Sequence, residues 1–213
     1  MNEKIAILND LGDPEELDCS PEWPDYLAYG FTSADVPDLI AIIVDEERYE
    51  EPNGKSGIWL HLHTWRTLGQ LKAVDAIEPL ITSFDFFSLV EDNAAFKELP
   101  EVIGMIGEPA IAPIARYLSK TSTSTFARSI ANDALANIAK QHPDCRDKVL
   151  ASYKTYLLAP DCLSRRLNSF IIRQLLELKA AELIEDIRPL FKNECVEQGI
   201  TGELGDIEKK LLN

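Results

Sequence analysis

Three histidines, four cysteines and several adjacent carboxylates are the residues of this 213-residue chain whose types could do chemistry. His61-Leu62-His63 sets two imidazoles about 200° apart around a helix, where a zinc-binding helix would want them at i and i+4. His61 therefore reads as a helix-surface residue and His63 as a side chain packed near Trp59. His142, just before Pro143, reads as a turn residue. Cys19, Cys145, Cys162 and Cys195 are widely spread, form no CxxC and match no zinc spacing. Free buried thiols in a reducing compartment are the plain reading, with a disulfide or a metal site as the alternative. Acid–base chemistry would need two carboxylates held in a pocket. Glu15-Glu16, Glu46-Glu47, Glu50-Glu51 and Glu91-Asp92 read instead as solvent-facing runs. No HExxH, GxSxG, GxGxxG or phosphate-binding GxxxxGK motif occurs. No catalytic residue, metal ligand or cofactor is expected.

The elements that would position such residues recur along the chain. Leu68-Gly69-Gln70-Leu71, Ile103-Gly104-Met105-Ile106, Leu135-Ala136-Asn137-Ile138 and Leu175-Leu176-Glu177-Leu178 share one pattern. A second phrase follows three of them: Ile77-Glu78-Pro79-Leu80, Ile111-Ala112-Pro113-Ile114 and Ile187-Arg188-Pro189-Leu190, with a missing copy expected near Ser152. The phrases return every ~30–40 residues, and a period in this range means stacked supersecondary units. Each unit reads as two amphipathic helices. In the first unit, Ile58, Leu62, Trp65 and Leu68 are followed by Val74, Ile77, Leu80 and Phe84. In the last, Leu163, Leu167, Phe170, Ile171 and Leu175 are followed by Leu183, Ile187 and Leu190. Alternating apolar–polar runs are almost absent, so no strand is expected. Pro109 suits the start of a second helix, and the polar run 121–125 can cap the helix after it. Pro79, Pro113 and Pro189 either kink their helices or place the helix starts later than the apolar pattern does.

The segment from Ala127 to Ala139 resembles the first helix of a HEAT repeat. More narrowly, it is similar to the short bacterial HEAT-like repeats named for phycobilisome lyases, and Ile103 through Gly107 matches their Leu-Gly-x-Ile-Gly ending. Repeats of that family typically begin with a basic residue before an Ala-rich helix; here His61 and Phe96 stand in its place, and the fourth unit lacks the glycine. The resemblance implies an all-α fold: an α/α superhelix, or curved solenoid, of about four two-helix repeats over residues 57–192. An acidic N-terminal capping region over 1–56 and a C-terminal capping helix over 193–213 would complete one continuous domain. The HEAT-like di-iron hydroxylases use repeated His-Glu pairs, and this chain has none.

Charge is unevenly spread. The chain carries a net −15. Residues 1–52 hold 15 acids against Lys4 and Arg48, whereas 116–179 hold 11 bases and five acids. The acidic end, with Asp45, Glu46, Glu47, Glu50 and Glu51, is a candidate surface for a basic partner protein. Second-helix residues Asp75, Glu78, Arg116, Lys120, Arg146, Lys148 and Lys154 are candidates for a concave binding face. Arg128, Arg165 and Arg166 could hold an anionic ligand.

These features favour a non-enzymatic interaction or scaffold module of unknown pathway, binding another protein through its concave face or acidic N-terminal end. Head-to-tail self-association of acidic and basic ends is a further expectation. The alternative is a tetrapyrrole lyase or chaperone, by resemblance to the phycobilin lyases, with the three arginines on propionates. Nucleic-acid binding, as in the HEAT-like alkylpurine glycosylases, is opposed by the negative charge. No apolar run reaches the length of a membrane span, about 18 residues. With no signal-peptide pattern either, no membrane partner and a cytoplasmic location are expected.

Overall fold

The structure, a computed structural model, describes residues 3–14, 23–49 and 56–212, and every regular element among them is helical. The chain divides into two units, Met1–Ile106 and Gly107–Asn213. The N-terminal unit holds α1 (Glu3–Leu11), α2 (Val36–Ile43), α3 (Glu46–Tyr49), α4 (Ser56–Gln70), α5 (Ile77–Leu89) and α6 (Asn93–Ile106). Helix α4 is its centre, packed on α1, α2 and α6, while α5 packs on α2 and α6. Leu8, Leu39, Trp65, Leu68, Leu80, Phe84, Phe87 and Leu99 are fully buried between them. The expected N-terminal capping region includes two successive helices, α2 and α3, broken at Val44 and Asp45.

The C-terminal unit holds α7 (Ile111–Leu118), α8 (Thr125–Gln141), α9 (Arg146–Leu158), α10 (Arg165–Glu177), α11 (Ile184–Lys192), α12 (Gln198–Thr201) and α13 (Leu204–Leu212). Helix α8 packs on α7, α9 and α10; α9 also touches α7 and α11. The expected closing helix is again two pieces, α12 and α13, separated by Gly202 at φ +82°.

Short 3-10 turns at Val74–Ala76, Glu108–Ala110, Pro143–Cys145 and Ala181–Leu183 lead directly into α5, α7, α9 and α11. These helices start at Ile77, Ile111, Arg146 and Ile184, at nearly even steps along the chain. The period thus includes the copy lacking a proline. The starts also resolve the proline question. Pro79 and Pro113 are the third residues of α5 and α7, where a backbone N–H has no intrahelical acceptor and its absence costs nothing. Pro189 lies deeper, inside α11. Helix ends repeat too. Lys72, Glu91, Lys179 and Glu194 all take left-handed φ of 51–55°. The next residue's N–H then reaches back to Leu68, Phe87, Leu175 and Leu190 oxygens, satisfying carbonyls the helix leaves open.

The N-terminal segments are tied to α4 by polar side chains. Gln70 Nε2 donates to Pro24 O, and Gln70 Oε1 accepts the Tyr26 N–H, each at 2.8 Å. Arg66 makes a two-pronged pair with Glu98 on α6 (Nε–Oε2 2.7 Å, Nη2–Oε1 2.5 Å), and Trp65 Nε1 donates to the same carboxylate. The expectation for His61 is corrected, since it is 1% exposed rather than at the surface. His63 is fully buried, as a packed side chain should be, and lies against Tyr26. A helix with neighbours on so many sides leaves no solvent-facing position at 61 or 63.

Candidate functional site

Two helix starts meet in the C-terminal unit. Helix α8 begins behind Ser124, whose hydroxyl oxygen accepts the Ala127 N–H at 3.0 Å. Helix α10 begins after the turn at Pro160-Asp161. There Asp161 accepts from Leu163 N–H at 3.2 Å and from the Ser164 hydroxyl at 2.8 Å. Beneath this turn lies Arg128, 1% exposed, donating to Asp161 at 2.7 Å and to Leu118 O at 2.8 Å. Burial pushes the Asp161 carboxyl up, but the Arg128 and Ser164 hydrogen bonds outweigh it and hold the group below its usual range.

Between the two starts opens a pocket of about 240 Å³. Phe126, Leu163 and Phe170 give it apolar walls; Thr125, Ser164, Arg165, Arg166 and Glu197 give it a polar rim. Leu163 is 96% exposed and Phe126 55% exposed. Arg165 is fixed by donating from Nε and Nη2 to Val196 O at 3.2 and 3.0 Å. The Arg166 guanidinium lies 5.6 Å from the centre of the Phe170 ring. Neither arginine forms an ion pair with a described residue. Chemically, such a site can hold a bulky apolar group with an anion beside it. Among the described residues, no group of His, Cys, Asp or Glu side chains is arranged to hold a metal ion.

The pocket's two chain stretches are joined by a disulfide, Cys162–Cys195, with Cα atoms 4.5 Å apart. This corrects the reading of free thiols for that pair. Their sequence separation of 33 is close to one period, which brings corresponding points of neighbouring helix pairs into contact. Cys145 is free and buried, and Cys19 lies outside the described residues.

The other candidate residues fall elsewhere. Arg128 is a buried support and not a surface ligand, because its guanidinium is bound to Asp161 and Leu118 O. The basic stretch is locally neutralised by acids mostly outside it: Arg146 pairs with Glu182 at 2.7 Å, Lys148 with Glu108, and Lys154 with Asp186 at 3.8 Å. The Arg146 guanidinium holds the Glu182 carboxyl below its usual range. Lys120 lies over the Tyr117 ring, and Arg116, Asp75 and Glu78 are exposed. Asp45 accepts the Arg48 N–H at 3.1 Å beside exposed Glu46 and Glu47, while Glu50 and Glu51 lie outside the described residues. The pocket thus gathers Arg165 and Arg166 from the candidates. It adds Phe126, Leu163, Phe170 and Glu197, of which Leu163 and Phe170 had read as core. The signal for Leu163 was its place shortly after the turn formers Pro160-Asp161, ahead of the helix start.

Residues 32–211 match the family described as "Protein of unknown function (DUF1186)". The chain belongs to DUF1186. No curated protein and no solved structure matches it. The DUF1186 match takes in every residue that lines the pocket and both disulfide cysteines. No described helix of this DUF1186 protein is long and apolar enough to cross a membrane.

Proposed function

We propose that this DUF1186 protein is a non-enzymatic interaction module. In this reading its helix pairs stack as a HEAT-like solenoid, and its pocket docks a partner protein's segment carrying a bulky apolar residue beside an acidic one. One observation carries the docking site: Leu163, almost fully exposed, adjoins Phe126 and two arginines that have no carboxylate partner among the described residues. Contiguous exposed apolar side chains rimmed by polar residues are the kind of surface that binds a partner, and the arginines select an acidic occupant. The stacking reading is supported by the evenly spaced helix starts and by ion pairs reaching one period along: Arg66–Glu98, Arg128–Asp161, Arg146–Glu182. At 240 Å³ the pocket is smaller than the ~300–1,000 Å³ of small-molecule clefts. That favours an inserted side chain over an enclosed tetrapyrrole.

Selection of random displayed peptides on the full-length protein tests this. The expected result is a consensus of an acidic residue next to Leu, Phe or Trp, with binding weakened at least tenfold by Leu163→Asp and by Arg166→Glu. A consensus of basic peptides would move the site to the acidic Glu46-Glu47 end. Peptides indifferent to both substitutions would sink the pocket as the docking site.

A further inference from the structure

We infer that the Cys162–Cys195 disulfide is a redox gate for the pocket, a regulation of the docking site proposed above and resting on that reading. Cys162 is immediately followed by Leu163, Ser164, Arg165 and Arg166, and Cys195 precedes Glu197 by two positions, so one covalent bond ties both stretches that line the pocket. The two stretches are otherwise held very differently. Residues 195–197 are fastened to α10 whatever the sulfur state: Asn168 Nδ2 donates to Cys195 O at 2.8 Å, Arg165 to Val196 O, and Glu197 N–H to the Ser169 hydroxyl at 2.8 Å. On the other side, Asp161 and Ser164 are pinned, but Leu163 is held only through a backbone bond to Asp161 at 3.2 Å while its side chain stands in solvent. Breaking the disulfide therefore frees Cys162 and Leu163 and leaves the unit folded.

The bond is also open to attack from one side. Cys162 is exposed and Cys195 is 1% exposed, so an incoming thiolate reaches the Cys162 sulfur. The reductant is a dithiol. Its thiolate forms a mixed disulfide with Cys162, and Cys195 leaves as a thiolate and takes up a proton. The reductant's second thiol then displaces Cys162, which is protonated in turn. Two electrons and two protons enter the protein, and the dithiol becomes a disulfide. The reduced pocket keeps its arginines and loses its fixed leucine wall. Ordering that wall again on binding costs entropy, so the reduced form binds the partner segment about tenfold more weakly.

The experiment uses the full chain in a Cys19→Ser background, oxidised, reduced with dithiothreitol, and reoxidised, with Cys162→Ser as a variant that cannot close the bond. Affinity for an acidic–apolar peptide from the selection above is measured alongside hydrogen exchange. The expected result is about tenfold weaker binding in the reduced form and in Cys162→Ser, restored by reoxidation of the wild-type pair, with the largest acceleration of exchange at residues 160–166. Equal affinity in all forms overturns the gate while leaving the docking site standing. Acceleration spread evenly over the C-terminal unit, with no excess at residues 160–166, overturns it as well, since the bond would then be a structural staple only. If no peptide binds any form, the docking reading fails. Exchange alone then decides the switch: localised acceleration upholds a redox-responsive loop, and unchanged exchange overturns it.

Discussion

Tyr26 and His63 meet in the N-terminal unit's core with the tyrosine oxygen 2.7 Å from His63 Nδ1. The other ring nitrogen, Nε2, lies 2.9 Å from Gly12 O, which can only accept. Nε2 therefore carries a proton; burial disfavours the charged ring, so Nδ1 accepts from the tyrosine hydroxyl and the ring is neutral. Burial raises the Tyr26 pKa to about 12, so the hydroxyl keeps its proton.

Acid should loosen this unit. Burial holds His61 and His63 below the usual 6.5, so the unfolded chain binds protons first as pH falls. The stability these rings contribute is fully present above pH 6.5 and declines below it. Melting curves between pH 7.5 and 5 should show the fall, and a His61→Gln, His63→Gln double variant should flatten it. A wild-type curve level across that range would refute the assignment.

Glu98→Gln should be among the costliest single changes. It leaves Arg66, 6% exposed, without its buried counter-charge. Removing one partner of a buried pair costs about 3–5 kcal/mol, readable as a lower denaturant midpoint by Trp65 fluorescence. A loss under about 1 kcal/mol would mean water reaches the pair.

Lys179→Gly should stabilise. Lys179 holds φ 51°, a conformation glycine adopts freely and other residues only at a cost. The expected gain is up to about 1 kcal/mol in the C-terminal unit, measured by chemical denaturation. A loss would show that the lysine side chain itself contributes more than the backbone strain removes.

Cys162→Ser should lower the C-terminal unit's stability by about 2–4 kcal/mol, the usual range for a lost disulfide. Reduction of the wild type should match it. Leu163→Asp, by contrast, should shift stability by less than about 0.5 kcal/mol, since the side chain touches almost only solvent.

The helical content was legible because apolar spacing is a local signal. Leu68, Leu80, Leu99, Leu135 and Ile187 all went to the core as their period required. Boundaries were blurred where a 3-10 turn precedes a helix: Val74 continues the apolar pattern of α5 yet is 52% exposed in that turn. The site was half legible. Arg165 and Arg166 could be marked by charge, but Arg128, identical in type, is buried beneath Asp161, and only the tertiary contact separates them. The disulfide was hidden for the same reason. The spacing of Cys162 and Cys195 becomes a contact only once one period is known to bring chain segments side by side.

The ion pairs that reach one period forward have a consequence for how such a chain can change. Arg66 needs the carboxylate at 98, Arg128 the one at 161 and Arg146 the one at 182. Helix α4 carries an address for α6, and the α8–α9 pair carries two for the α10–α11 pair, so these segments are not interchangeable tiles. Deleting or replacing α6 or the α10–α11 pair would strand a guanidinium at the junction it left. Shuffling at these two steps is therefore penalised by charge as well as by packing.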